Sequence, residues 1–209
     1  MIETRNVCYK YSKNETLTFS DVLIKEGEQW LLKGNSGSGK TTLIHLLAGI
    51  LSPTQGSVSI NGVSLENLNQ SGLDRFRAKT IGLIFQKHLF INAINMYQNV
   101  SLPQQIVCGK VDKKQIFHLF DALNISILAF KKPGELSQGE LQRFSIARAL
   151  VNKPKLVIAD EPTSSLDDDN CLQFIELIKK NCEEHGASLI IATHDARIDS
   201  QFQHAIRLN

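Results

Sequence analysis

At 209 residues the chain is long enough for one substantial core with an inserted lobe, and 42% hydrophobic with 21% charged residues is the composition of a folded globular protein. A formal net charge of +2 gives no basis for a nucleic-acid partner or for adhesion to an anionic membrane surface. No run approaches the roughly 18 apolar residues that span a bilayer, and the polar start Met1-Ile2-Glu3-Thr4 lacks the apolar stretch of a secretory signal, so any membrane role is expected to come through a partner.

The first thirty residues alternate in character, as in Leu17-Thr18-Phe19 and Val22-Leu23-Ile24, and predict antiparallel strands. Gln29-Trp30-Leu31-Leu32 is an apolar strand that feeds a glycine-rich loop and a helix over 41–48, stopped by Gly49 and Pro53. Asn61-Gly62, set between two short alternating runs, is a two-residue hairpin signal, since a type I′ turn needs positive φ twice. Arg75, Arg77 and Lys79 read as a solvated helix face, and 81–85 as another buried strand. From Lys87 to about Leu150 the pattern is helical, including 113–123 and 140–150. Leu156-Val157-Ile158-Ala159 is a short apolar run, 172–178 is helical, and Ser188-Leu189-Ile190-Ile191-Ala192 is a last buried strand. Strands alternating with helices predict an α/β core, and the helical middle an inserted lobe. Cys8, Cys108, Cys171 and Cys182 are scattered, with neither CxxC nor metal-ligand spacing, as expected of reduced thiols in a cytosolic protein.

Gly34-Asn35-Ser36-Gly37-Ser38-Gly39-Lys40-Thr41 fits G-x-x-x-x-G-K-[ST], lies between a strand and a helix as that motif requires, and is followed by Thr42. Glycines let backbone N–H groups converge on phosphate oxygens, and the following helix points its positive end at them. Lys40 adds a mobile charge for the β- and γ-phosphates, and the Thr41 hydroxyl can ligate Mg²⁺. Asp160 and Glu161 end the apolar run 156–159, where open α/β sheets form their sites. Asp160 is expected to hold Mg²⁺ and Glu161 to orient or deprotonate an attacking water.

Leu136-Ser137-Gln138-Gly139-Glu140, leading into Leu141-Gln142-Arg143-Phe144, resembles the signature sequence of ABC-type ATPases. The resemblance covers essentially the whole chain, with the phosphate loop, Gln86, the signature, the acidic strand end, Ser164-Ser165-Leu166-Asp167 and His194 all in family order. It implies a P-loop NTPase core with an N-terminal antiparallel β subdomain and an inserted α-helical subdomain. The single domain divides into residues 1–86 and 151–209 as core with β subdomain, and 87–150 as the helical subdomain ending in the signature helix. It also implies two copies closing around two ATP molecules with Mg²⁺. Ser137, Gln138 and Gly139 of one copy then cover ATP held by the phosphate loop of the other, and Asp167 reaches across. Gln86 matches the glutamine that senses Mg²⁺, His194 the histidine that contacts the γ-phosphate, and Tyr11 the aromatic that stacks on adenine, with Tyr9 on the same strand face as the alternative. His45, His88, His118, His185 and His204 are read as structural. Two positions depart from the family pattern: Gln138 stands for the usual second glycine and Glu140 for the usual closing glutamine, the latter adding a carboxylate near the nucleotide interface.

The chain stops fifteen residues after His194 with no accessory module expected, and Asn99-Val100-Ser101-Leu102-Pro103 is similar to the lipoprotein-releasing and macrolide-exporter group. That resemblance implies a subunit peripheral on the inner face of the cell membrane, driving a membrane-embedded permease. The alternative in the same group is a cell-division-type ATPase that transmits a conformational signal without moving cargo. The apolar run Leu89-Phe90-Ile91 is expected to give at least one side chain to the lobe's own core and the others to a groove for a short permease helix.

Overall fold

The computed structural model describes residues 1–12, 15–164 and 166–208. Five strands make an antiparallel sheet in the order β2 (Glu15–Thr18), β1 (Ile2–Ser12), β5 (Gln55–Ile60), β6 (Val63–Ser64), with β3 (Leu23–Ile24) paired to β1. The hairpin joining β5 to β6 turns at Asn61 and Gly62, whose φ values of 50° and 78° are those the type I′ reading requires.

The second sheet is parallel, in the order β10 (His204–Arg207), β4 (Gln29–Lys33), β9 (Ser188–Thr193), β8 (Leu156–Asp160), β7 (Ile81–Ile84). Its central strands are buried on both faces, and period-two alternation sends successive side chains into two cores. Val157, Ala159, Leu189, Ile191 and Leu31 face the helical side; Leu156, Ile158, Ile190, Ala192 and Leu32 face α1 (Lys40–Leu47) and the antiparallel sheet. Each such buried aliphatic is worth about 1.5–3 kcal/mol over its exposed state, so the register of this sheet is fixed. β10, a four-residue edge strand, has no sequence signal of its own and is held by β4 and by stacking of His204 on Trp30.

α2 (Gln70–Thr80) buries no residue, and Arg77 pairs with Asp74 on its surface. α3 (Met96–Cys108), α4 (Lys113–Ala122) and α5 (Gln138–Leu150) lie between β7 and β8 in sequence, and α6 (Asp168–Glu184) covers the sheet beside them. The helical reading from Lys87 onward is corrected: helix starts only at Met96. Asn95 caps α3 in a reciprocal capping box with Gln98, and the Asn99 amide holds the Ile91 N–H at 2.8 Å and carbonyls of Ile91, Ile94 and Asn95. Those bonds fix residues 91–95 as a turn, because Asn satisfies backbone groups that a helix would otherwise use.

The four cysteines are free, with Cys171 and Cys182 buried; burial pushes the Cys182 thiol up to about 12. Among the described residues no helix is long and apolar enough to cross a membrane.

Candidate functional site

Parallel pairing makes the carboxyl ends of the strands level. Lys33 ends β4 opposite Thr193 of β9, Asp160 of β8 lies opposite Ala192, and Ile84 of β7 opposite Ala159. The segments beyond the strand ends therefore gather at one edge: the phosphate loop after β4, Gln86 after β7, Glu161 after β8 and His194 after β9. A cavity of about 900 Å³ opens there, lined by Asn35, Ser36, Gly37, Gly39, Lys40, Thr41, Thr42, Gln86, Glu161 and His194, with Tyr11, Glu15 and Leu17 from the antiparallel sheet on its far side.

The six α-helices differ at their N-termini. Side chains of Asn69, Asn95, Asp112, Ser137 and Asp167 cap α2, α3, α4, α5 and α6. Among the described residues α1 alone has no side-chain cap; its N-cap is Gly39, whose φ of 94° is left-handed and whose added Cβ would come within 3.0 Å of Leu17. Gly39, Lys40, Thr41 and Thr42 line the cavity, and the first N–H groups of a helix have no partner within it, which is the arrangement that receives an anion. Buried Lys40 curls over the loop, its Nζ donating to the carbonyls of Gly34 at 2.8 Å and Asn35 at 3.1 Å. Ser38 Oγ is buried with no partner.

Beside it, the Thr41 hydroxyl donates to Asp160 Oδ2 at 3.2 Å, while Asp160 Oδ1 is buried with no partner. Burial raises the Asp160 carboxyl above its usual range; the Thr41 hydrogen bond opposes this and neighbouring Glu161 adds to it. A carboxylate oxygen left bare in that setting costs about 1–3 kcal/mol, a cost that a cation would offset.

Glu161 has φ of 47°, a left-handed backbone that costs a non-glycine residue about 1–3 kcal/mol. Its Oε2 accepts from the Thr193 hydroxyl at 3.0 Å, Oε1 lies 2.9 Å from His194 Nδ1, and Lys40 Nζ is 3.9 Å away. The Gln86 amide donates to Ser164 Oγ at 3.1 Å, and Ser164 in turn donates to the Glu161 carbonyl. The sequence assigns no role to Thr193 or to Ser164 by itself; a hydroxyl at a strand end or in a turn carries no motif. The same is true of Arg197, which binds Asp195 with two nitrogens, reaches Asp168, and so clamps the segment after His194 onto the start of α6. Those bonds hold the Asp195 carboxyl well below the usual carboxylate range.

Of the two candidate tyrosines, Tyr11 lines the cavity, with its hydroxyl 2.7 Å from Thr42 Oγ1; Tyr9 stacks edge-on against it at 4.8 Å and packs on the core. Ser137, Gln138, Gly139 and Asp167 do not line this cavity. They lie at the N-termini of α5 and α6, on the surface. Ser165 lies outside the described residues.

The family model for ABC transporters matches residues 17–164. The chain belongs to the ABC transporter family. It is 38% identical to the lipoprotein-releasing system ATP-binding protein LolD of Hydrogenovibrio crunogenus, covering 88% of this chain and 82% of that one. With the LolD protein of Syntrophotalea carbinolica it shares 36% identity over 100% and 94% of the two chains. Among solved structures, the dimeric post-hydrolysis state of the ATP-binding cassette MJ0796 bound to ADP and Pi superposes with a TM-score of 0.88, at 31% identity, covering 100% of this chain and 94% of that one. The chain is thus an ATP-binding, ATP-hydrolysing subunit of an ABC transporter, with the α/β fold of those cassettes.

Proposed function

We propose that the chain is the ATPase of a lipoprotein-releasing transporter, acting as two copies that clasp two ATP molecules and drive a membrane-embedded permease from the inner face of the cell membrane. The observation that carries this reading is the division of the site. Lys40, Thr41, Gln86, Glu161 and His194 surround one cavity, whereas the signature segment lies outside its lining, exposed at the start of α5. Gly139 makes the same point. Its φ is not left-handed and a Cβ added to it would meet nothing within 4 Å, so the need for glycine has to come from a surface outside the chain. A second copy, turning Ser137, Gln138, Gly139 and Asp167 toward the first copy's phosphate loop, supplies one.

The residues then divide the work. The N–H groups of the loop Gly34, Asn35, Ser36, Gly37, Ser38 and Gly39, with Lys40 and Thr42, hold the phosphates, and Tyr11 stacks on the adenine. Thr41, Asp160 and Gln86 hold Mg²⁺; the bare Asp160 Oδ1 fits this role, and bound Mg²⁺ supplies neutralisation of phosphate charge. Glu161 takes the proton of the attacking water, oriented by Thr193, and His194 swings from Glu161 to the γ-phosphate. Residues 87–150 form the helical unit that carries the signature to the partner copy, while 1–86 and 151–209 form the nucleotide-binding core.

The lipoprotein-release assignment is supported by relatives of that name; the signalling alternative has no observation of its own. Reconstitution with the co-purifying permease in proteoliposomes tests it: ATP-dependent transfer of a lipoprotein to a soluble acceptor is expected. Permease-stimulated hydrolysis without any such transfer would remove this cargo and leave the ATPase standing.

A further inference from the structure

Beyond Thr193, where β9 ends, the sheet ladder no longer sets the path of the chain and side chains do. The Asp195 N–H donates to Thr193 Oγ1 at 3.0 Å, and the Thr193 hydroxyl donates to Glu161 Oε2 at 3.0 Å. A hydroxyl carries one hydrogen; with a donor already seated on its oxygen, that hydrogen is directed at the carboxylate. The Asp195 carboxylate is itself gripped. It accepts from Arg197 Nε at 2.9 Å, Arg197 Nη2 at 2.7 Å and the Arg197 N–H at 3.0 Å, and from the buried Thr163 hydroxyl at 2.9 Å. Thr163 stands two residues after Glu161, so Asp195 joins the turn that carries Glu161 to the turn that follows Thr193. Such bracing is what a left-handed Glu161 needs in order to persist.

We propose that Asp195 and Arg197 are positioning residues for hydrolysis: their ion pair locks the turn after β9 so that Thr193 keeps its hydroxyl hydrogen on the Glu161 carboxylate while ATP is cleaved. The proposal rests on the reading of Glu161 as the base. Among the described residues, His194 is that carboxylate's other hydrogen-bond partner, and Lys40 Nζ lies 3.9 Å off. Once His194 turns to the γ-phosphate, Thr193 is the hydrogen bond left to fix one carboxylate oxygen and leave the other for the water. A tie between this turn and the start of α6 needs less. Arg197 Nη1 makes that tie by itself, through the Leu166 carbonyl at 3.1 Å and Asp168 at 2.7 Å. Its Nε, Nη2 and backbone N–H all go to Asp195.

The test uses the full chain in excess over Mg-ATP, so that a single round of cleavage is read. Affinity for a non-hydrolysable ATP analogue and the melting temperature are measured beside it. Thr193→Val, which keeps the shape and removes the hydroxyl, should slow cleavage about tenfold or more, and Thr193→Ser should restore most of the rate. Arg197→Gln should slow cleavage to a similar extent. Analogue affinity should stay within about twofold in each variant, since uniform binding is untouched. In the Thr193→Val background Arg197→Gln should add no more than about twofold, because it acts through that hydroxyl. If Arg197→Gln melts below the assay temperature, the Asp195→Asn, Arg197→Gln pair leaves no unpaired carboxylate and takes its place with the same expectations. Parental cleavage in Thr193→Val would overturn the proposal. So would an Arg197 effect that persists in full without the Thr193 hydroxyl, or one that appears equally in analogue affinity. Unslowed cleavage in Glu161→Gln would instead remove the base reading, and this proposal with it.

Discussion

α1 and α5 are both reached through a short turn and both begin with small or hydroxyl-bearing residues, yet their N-termini are finished in opposite ways. At α1 no side chain caps the helix, Ser38 Oγ and Asp160 Oδ1 are buried without partners, and Glu161 stands in left-handed backbone. At α5 each donor of Ser137 is satisfied by Glu140, in the open, with no strain. The first end leaves unfavourable polar terms that a ligand would relieve; the second is complete by itself. On the proposed two-copy reading, such a site binds its nucleotide on the α1 half and is completed by the α5 half of the other copy.

The largest expected effect breaks the α1 half. Lys40→Ala removes the loop's mobile charge and should abolish both tight ATP binding and turnover. Glu161→Gln keeps shape and hydrogen bonding but loses the base, so ATP should bind while single-turnover hydrolysis falls about 10²-fold or more. Near-normal turnover in Glu161→Gln would give the base role to another group.

Gly139→Leu attacks the other half without touching the fold. Leucine is the better helix former by up to about 1 kcal/mol and its Cβ would meet nothing within 4 Å, so the melting temperature should hold or rise. ATP-dependent dimerisation and turnover should be lost. Retained turnover would show that nothing closes over this position.

Much of this contrast is legible in the sequence because each half is built around a motif. The spacing of residues 34–41 and the acids ending the run 156–159 locate the α1 half; residues 136–140 locate the other. The Asn61-Gly62 turn and the doubly buried strands are equally readable, since turn chemistry and continuous apolar runs are local signals. The features that escape are set by tertiary contacts. β10 is a strand only because β4 offers its edge, and residues 91–95 are a turn only because Asn99 reaches back to them. The same holds inside the site. Thr193 matters because sheet register puts its hydroxyl against the Glu161 carboxylate, and Ser164 because the turn after β8 brings it back onto the Glu161 carbonyl.

A smaller effect sharpens the claim that the α1 half stores strain. Asp160→Asn should stop hydrolysis yet stabilise the nucleotide-free chain by about 1–2 kcal/mol, by removing an uncompensated buried charge. The sign comes from the raised pKa. The native state binds this proton more tightly than the unfolded chain, so wild type is most stable below the ordinary aspartate value of about 3.9 and loses stability as pH rises through the raised one. The melting advantage of Asp160→Asn should therefore grow with pH across that window. An advantage that is absent at neutral pH would mean that the site holds no such charge.

The smallest effects concern the segment after Gln86. Phe90 is half-buried, with the Arg148 guanidinium 4.4 Å from its ring centre and hydrogen-bonded to the Leu89 carbonyl, while Leu89 and Ile91 are 57% and 50% exposed. Phe90 is thus the core member of the run, and Phe90→Ala should cost about 1–3 kcal/mol of stability. Leu89→Ser and Ile91→Ser should leave stability within about 0.5 kcal/mol and ATP affinity unchanged, but reduce the stimulation of hydrolysis by reconstituted permease. Full stimulation in both would remove this surface from the coupling path.

The central claim, that one chain holds only half of each ATP site, is tested most directly by the mass in solution of the Glu161→Gln chain with and without Mg-ATP. Light scattering should give a largely monomeric species without nucleotide and twice that mass with it, and the gain should vanish in the Lys40→Ala, Glu161→Gln double variant. The same monomer mass under both conditions would contradict the claim.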